Sequence, residues 1–244
     1  MMKIKHSKVL VIGGSSGLGL GIAKECARNE AQVIIASRSK EKLAQSAHEI
    51  GNATEYYVVD VSSEASITDL FERVGDIDHL VITSGFVTGK QFDELSEKDA
   101  RDDFEINFWG KFNTSKHGAK HINKGGSIIF ISGAFAKKPN PNVFITSVSV
   151  AAVEAMAKTL AISLSPIRVN VISPYIVDTS LVSAEQPDED RKDFLASTAK
   201  NLPSKYVGCP QDIGEAAVFL MSNSYVTGSI LSIDRISTYS NISS

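Results

Sequence analysis

The sequence predicts an α/β fold, a single domain built on a doubly wound parallel β-sheet with helices on both faces. Short apolar runs alternate with segments of helical periodicity along the whole chain. The runs are continuously apolar rather than alternating, the mark of strands covered on both faces. A glycine-rich turn, Gly13-Gly14-Ser15-Ser16-Gly17-Leu18-Gly19, follows the first run directly and opens the first helical segment.

The elements follow in order. Residues 8–12 form a β-rich run. Residues 18–29 carry Leu18, Ile22 and Cys26 on one helical stripe. Residues 32–36 make the second strand. Residues 40–50 make a polar-faced helix that stops at Gly51, a residue suited to the turn beyond a helix end. The third strand is 55–59, with Asp60 after it, and 63–74 is the next helix. The fourth strand is 79–83, and 96–122 reads as one long helix. Residues 127–132, 145–164 and 168–172 read as strand, helix and strand. A late helix at 213–221 and a strand at 229–233 complete the pattern. Strands joined by helices of this length imply right-handed crossovers. The result is a Rossmann-like sheet, with residues 1–244 as one domain. The stretch 177–210 is polar, contains Pro187 and Pro203, and follows a strand's carboxyl end. Such sheets place a lid over a ligand there.

Composition narrows the function classes. The chain has 244 residues, 43% hydrophobic and 22% charged, with a formal net charge of −3. A chain this long buries well over half of its unfolded surface and needs no staples. Cys26 and Cys209 match no metal or redox spacing, so no metal site is expected. Cys26 falls within a helical stripe, where a thiol is structural. Charges of both signs are interspersed without a basic block, which argues against nucleic acid as a partner. No apolar run approaches the roughly 18 residues of a membrane span. Residues 1–8 lack the apolar core and cleavage site of a signal peptide. The expected setting is cytoplasmic, with no membrane partner.

The glycine turn carries the clearest chemistry. Gly13, Gly17 and Gly19, with Ser15, Ser16 and Leu18 between them, let the backbone approach a pyrophosphate at a helix N-terminus. Their spacing, Gly-x-x-x-Gly-x-Gly, resembles that of the short-chain dehydrogenase/reductase family. Further motifs match in order over essentially the whole chain, to about Ile233. The resemblance implies that Asp60 and Val61 lie against an adenine. It implies that Ser84 and Gly85 border the cofactor, in Ile82-Thr83-Ser84-Gly85 where the family has Asn-Asn-Ala-Gly. It also implies that Pro174, Ile176 and Thr179 lie near the nicotinamide, with Tyr175 in place of the usual glycine. The second strand ends in Ala36-Ser37-Arg38. An acidic residue there would bind a ribose 2′-hydroxyl and repel a 2′-phosphate. The hydroxyl of Ser37 and the guanidinium of Arg38 suit that phosphate instead. The expected cofactor is NADP(H), with NAD(H) the poorer fit.

The resemblance further implies a proton-handling unit. A tyrosine acts as general acid/base, and a lysine four residues later lowers its pKa and holds the ribose. A serine polarises the carbonyl, and an upstream asparagine assists a proton relay. The frame lies on this sequence without gaps, yet Gly133 stands for the serine, Thr146 for the tyrosine and Val150 for the lysine. Asn107 alone is kept, as a relay group or as a packing and water-anchoring residue. Ser132 points to the opposite face in a regular strand. A threonine hydroxyl is too weakly acidic to replace a phenol. Lys158 lies two turns beyond Val150, and Lys137 and Lys138 sit in a loop. His117 and His121 read as surface or interface residues. Tyr175 is the second catalytic candidate, a phenol beside the expected nicotinamide.

Three functions are compatible with this pattern. The first is an NADP(H)-dependent oxidoreductase for a small-molecule carbonyl or alcohol, with an atypical proton donor. The second is a catalytically silent NADP(H)-binding sensor, scaffold or partner subunit. The third is a non-redox lyase or cyclase that reuses the pocket. The resemblance also implies a homodimer or homotetramer, formed through the helices holding Asn107 and Ala155. After the last strand, Asp234-Arg235-Ile236 replaces the family's Asp-Gly-Gly.

Overall fold

A computed structural model describes residues 4–51, 53–179 and 188–234. Its strands are β1 (Lys8–Ile12), β2 (Gln32–Ser37), β3 (Glu55–Val58), β4 (Ile77–Ile82), β5 (Ile122–Ile131), β6 (Arg168–Pro174) and β7 (Ile230–Ile233). Its helices are α1 (Gly17–Arg28), α2 (Lys40–Ile50), α3 (Glu64–Val74), α4 (Glu97–Phe104), α5 (Gly110–Gly118), α6 (Phe144–Ser163), α7 (Asp188–Asn201) and α8 (Pro210–Ser222). The strands pair in the order β3-β2-β1-β4-β5-β6-β7, all parallel. The order runs outward both ways from β1 and β4. Chains leaving the carboxyl ends of those two strands therefore open a crevice between them.

Alternate residues of each strand feed opposite faces. Val9 and Val11 meet Ile22, Cys26, Ile213 and Leu220 from α1 and α8. Leu10 and Ile12 meet Ile67, Phe71 and Val153 from α3 and α6. Each such side chain contributes about 1.5–3 kcal/mol by leaving water. The segment Pro141–Ser163 is long and apolar enough to cross a membrane by length and composition. Here it buries Ile145, Val150, Val153 and Ala157 within the protein.

Two expectations are corrected. The helix expected over 96–122 is divided. α4 ends at Phe104, a π turn spans Glu105–Trp109, and α5 ends at Gly118. A π turn inserts a residue without disturbing the apolar spacing that sequence reading detects. Ile122 belongs to β5 and pairs with Ile77. The register then shifts between Ile77 and His79, and Gly125 adopts φ +89°. Only the regular part of β5 was therefore legible. The stretch 177–210 is not irregular throughout, because α7 lies within it and Val177 bridges to Gly208. Residues 180–187 of the expected lid, with Pro187, and Arg235 and Ile236 lie outside the described residues.

Candidate functional site

β1 ends at Ile12 and the chain turns at Gly13, with φ +83°. Gly13 N–H donates to the Ala36 carbonyl at 2.7 Å, and Thr83 N–H donates to the Ile12 carbonyl at 2.9 Å. The turn is thus held by both neighbouring strands. A Cβ on Gly19 would lie 2.2 Å from the Gly13 oxygen, so α1 starts hard against the turn. Its N-cap Ser16 makes no side-chain capping bond, and the first turn carries no acid. Those backbone N–H groups stay available to an anion. The Ser46 hydroxyl fixes the Ser15 carbonyl at 3.0 Å. Leu18 packs on the apolar core. Thr179 is brought to the same turn, with its Cβ 3.6 Å from a Cβ built on Gly17.

β2 delivers Ser37 and Arg38 to the crevice. Arg38 is exposed, and the buried Ser37 hydroxyl has no hydrogen-bond partner among the described residues. The Ser84 hydroxyl is a second such orphan. Asp60 accepts from the Ser62 hydroxyl at 2.7 Å and its N–H at 3.0 Å. These bonds, aided by the charge of Arg38, hold its carboxyl below the usual range. Val61 is buried against Gly110. Buried polar groups are ordinarily satisfied. Two orphaned hydroxyls beside an uncapped helix start are what a dinucleotide's phosphate and ribose oxygens would complete. The residues present fit such a cofactor.

The other half of the site is organised around Asp103, a fully buried carboxylate that sequence reading missed. Its Oδ1 accepts from the Ser149 hydroxyl at 2.6 Å and from Asn107 Nδ2 at 2.9 Å. Its Oδ2 accepts from the Thr146 hydroxyl at 2.7 Å and the Thr88 hydroxyl at 2.8 Å. Thr146 in turn accepts from Thr88 N–H at 2.9 Å. Asn107 clasps the loop after β4, donating to the Phe86 carbonyl at 3.0 Å and accepting from Phe86 N–H at 3.2 Å. Lys111, nearly enclosed, donates to the carbonyls of Ser84 at 2.6 Å and Asn107 at 3.0 Å. Asp103, Asn107 and Lys111 are spaced four apart. That polar stripe on one helix face was the signal available in the sequence.

At the positions of the proton-handling frame, Val150 is buried and the Thr146 hydroxyl is committed to Asp103 and Thr88. A Cβ on Gly133 would meet nothing within 4 Å. The expected substitutes are placed elsewhere. Ser132 donates to Glu154 at 2.9 Å. Lys137 donates to Ser232 on β7 at 2.5 Å, and Lys158 is exposed. His117 bonds Glu64 at 2.7 Å and His121 stacks on Phe71, so both turn to α3. Burial pushes the Cys26 thiol up to about 12, which makes it inert. Tyr175 and Ile176 line a cavity of about 170 Å³ with Leu202, Tyr206 and Asp212. None of Gly133, Thr146 or Asn107 lines it. Pro174, just before, closes β6 against Ile233 of β7.

Fold and site together define a class: a doubly wound parallel sheet with a dinucleotide cradle at its switch point. A family model described as "Enoyl-(Acyl carrier protein) reductase" matches residues 13–235. Short-chain dehydrogenase/reductase ATR9 of Stachybotrys chlorohalonatus (strain IBT 40285) is 32% identical over 246 residues, spanning 95% of this chain and 96% of that protein. Oxidoreductase UcpA of Escherichia coli (strain K12) is 31% identical over 256 residues, spanning 98% and 97%. A solved small-chain dehydrogenase in complex with NADPH superposes with a TM-score of 0.84 at 32% identity, over 97% of this chain and all of that one. The chain belongs to the short-chain dehydrogenase/reductase family, oxidoreductases that bind nicotinamide cofactors.

Proposed function

We propose that the chain binds NADP(H) and oxidises or reduces a small alcohol or carbonyl, with a proton supply outside positions 133, 146 and 150. One observation carries this reading: the uncapped start of α1 lies beside the orphaned Ser37 hydroxyl and the exposed Arg38. A hydroxyl and a guanidinium in place of an acid favour the 2′-phosphate. The NADPH held by the solved relative agrees with that choice.

A bound nicotinamide gives or takes the hydride. The chain's own groups bind and orient. The glycine turn and the first N–H groups of α1 take the pyrophosphate. Asp60 and Val61 flank the adenine, Ser84 and Gly85 border the ribose, and Pro174, Ile176 and Thr179 close around the carboxamide. Tyr175 is the candidate proton donor. It is half-buried, and burial pushes its phenol above the ordinary value. It therefore stays protonated at neutral pH and can donate to a carbonyl oxygen, though it releases the proton reluctantly. Loss of an acid/base group costs about 10²–10⁴-fold in rate, so turnover is slow. In this reading the protein is cytoplasmic and assembles as a homodimer or homotetramer.

A second reading, a catalytically silent NADP(H)-binding protein, is favoured by the commitment of the Thr146 hydroxyl to Asp103. NADPH oxidation against a carbonyl panel, run beside NADPH calorimetry, separates the two. Turnover abolished in Tyr175→Phe supports the enzyme. Tight NADPH binding without turnover on any carbonyl supports the silent protein.

A further inference from the structure

Lys111 lies directly behind the segment that borders the crevice. Its ammonium donates to the carbonyls of Ser84 and Asn107, and a Cβ built on Gly85 would lie 3.5 Å from Nζ. Its third N–H has no acceptor among the described residues. The same segment presses on the glycine turn. A Cβ on Gly13 would meet Thr83 Oγ1 at 2.4 Å and Ser84 N at 3.2 Å. One layer of backbone therefore separates a buried cation from the anion cradle. An ammonium is almost never buried without a partner. Asp103 acts on this one at a distance, through Asn107, and forms no ion pair with it. Val150, across the crevice on α6, offers no charge.

We infer that Lys111 is a positioning residue for the dinucleotide, supplying from behind the Ser84–Gly85 backbone the positive charge that Val150 does not. The inference rests on the proposed NADP(H) reading. The cofactor is anionic, and a unit charge a few ångströms away acts strongly through a poorly solvated interior. The hydrogen bonds to Ser84 and Asn107 also fix the backbone on which the ribose would rest.

The charge can be removed by pH. Burial pulls Lys111 down to about 8, against the opposing pull of Asp103. Below that value the ammonium is present and the cofactor is favoured, and above it the attraction fades. The groups facing Lys111 are Asp103 from α4, the Thr146 and Ser149 hydroxyls from α6, strand-end backbone, and Asp60 beyond Val61. None of these is a base that titrates in the alkaline range.

The test is NADPH affinity, read from NADPH fluorescence between pH 7 and 9.5 on the full chain. Wild type is expected to lose about tenfold in affinity, with a midpoint near pH 8. Lys111→Met is expected to bind about tenfold more weakly at pH 7 and to show a flat profile. Lys111→Arg keeps the affinity at pH 7 and stays flat, because a guanidinium does not deprotonate there. If Lys111→Met fails to fold by circular dichroism, Lys111→Arg decides alone. An alkaline loss in Lys111→Arg equal to that of wild type overturns the inference, as does a flat wild-type profile. Absence of NADPH and NADH binding by wild type at every pH overturns the cofactor reading and this inference with it. Binding with a profile that Lys111 does not control overturns the role of Lys111 alone.

Discussion

Asp103 shows how a crevice can keep its polarity while its chemistry changes. Its two oxygens accept four hydrogen bonds, and Thr146 supplies one while satisfying the N–H of Thr88. The hydroxyl at position 146 is thus a structural tie. Thr146→Val removes a donor from a buried carboxylate and the acceptor from a buried N–H. Each orphan costs about 1–3 kcal/mol. The variant is expected to lose about 2 kcal/mol or more in urea unfolding, with an unchanged m-value. A loss under about 0.5 kcal/mol would mean that the network reorganises freely around Asp103. The replacements at 133, 146 and 150 were legible, because a gapless frame exposes each of them. Asp103 and Lys111 were not. In a sequence they look like ordinary solvated charges, and the rule that charges lie outside hides the few that are paired inside.

The elements were legible wherever a strand is buried on both faces or a helix carries a regular apolar stripe. Reading failed where geometry departs from one period, at the π turn before Trp109 and at the irregular start of β5. The pairing of β4 with β5 adds a titration that no periodicity reveals. His79 contacts the Ser127 hydroxyl at 2.9 Å across the two strands. Burial, helped by the charge of Arg168, pulls its imidazole down to about 4 from the ordinary 6.5. The unfolded chain therefore takes up the proton first as pH falls. Stability is complete above pH 6.5 and drains as pH drops towards 4. At pH 4.5 the loss from this group amounts to roughly 2–3 kcal/mol. Urea midpoints at pH 7 and 4.5 measure it. The gap is expected to narrow in His79→Gln, and an equal gap in both proteins would show that carboxylates alone drive acid unfolding.

At the scale of the whole molecule, the strand order sets the function. β1 and β4 diverge at the switch point, and the glycine turn, Ser37, Ser84 and Thr179 converge there from four separate stretches of chain. That convergence was legible, because a glycine turn between a strand and a helix already fixes where the crevice opens. A ligand held only by the folded chain must stabilise all of it. At 100 times its Kd, the gain is about 2.7 kcal/mol. For a chain of this length that corresponds to a rise in Tm of roughly 5–10 °C. NADPH is expected to give this rise, and NADH a smaller one at equal concentration. The difference belongs to the 2′-phosphate, so Arg38→Ala should shrink the NADPH shift towards that of NADH while leaving the NADH shift unchanged. Equal shifts for the two cofactors in wild type would remove Ser37 and Arg38 as a phosphate site. A loss of both shifts in Arg38→Ala would instead place the guanidinium in folding or in pyrophosphate binding.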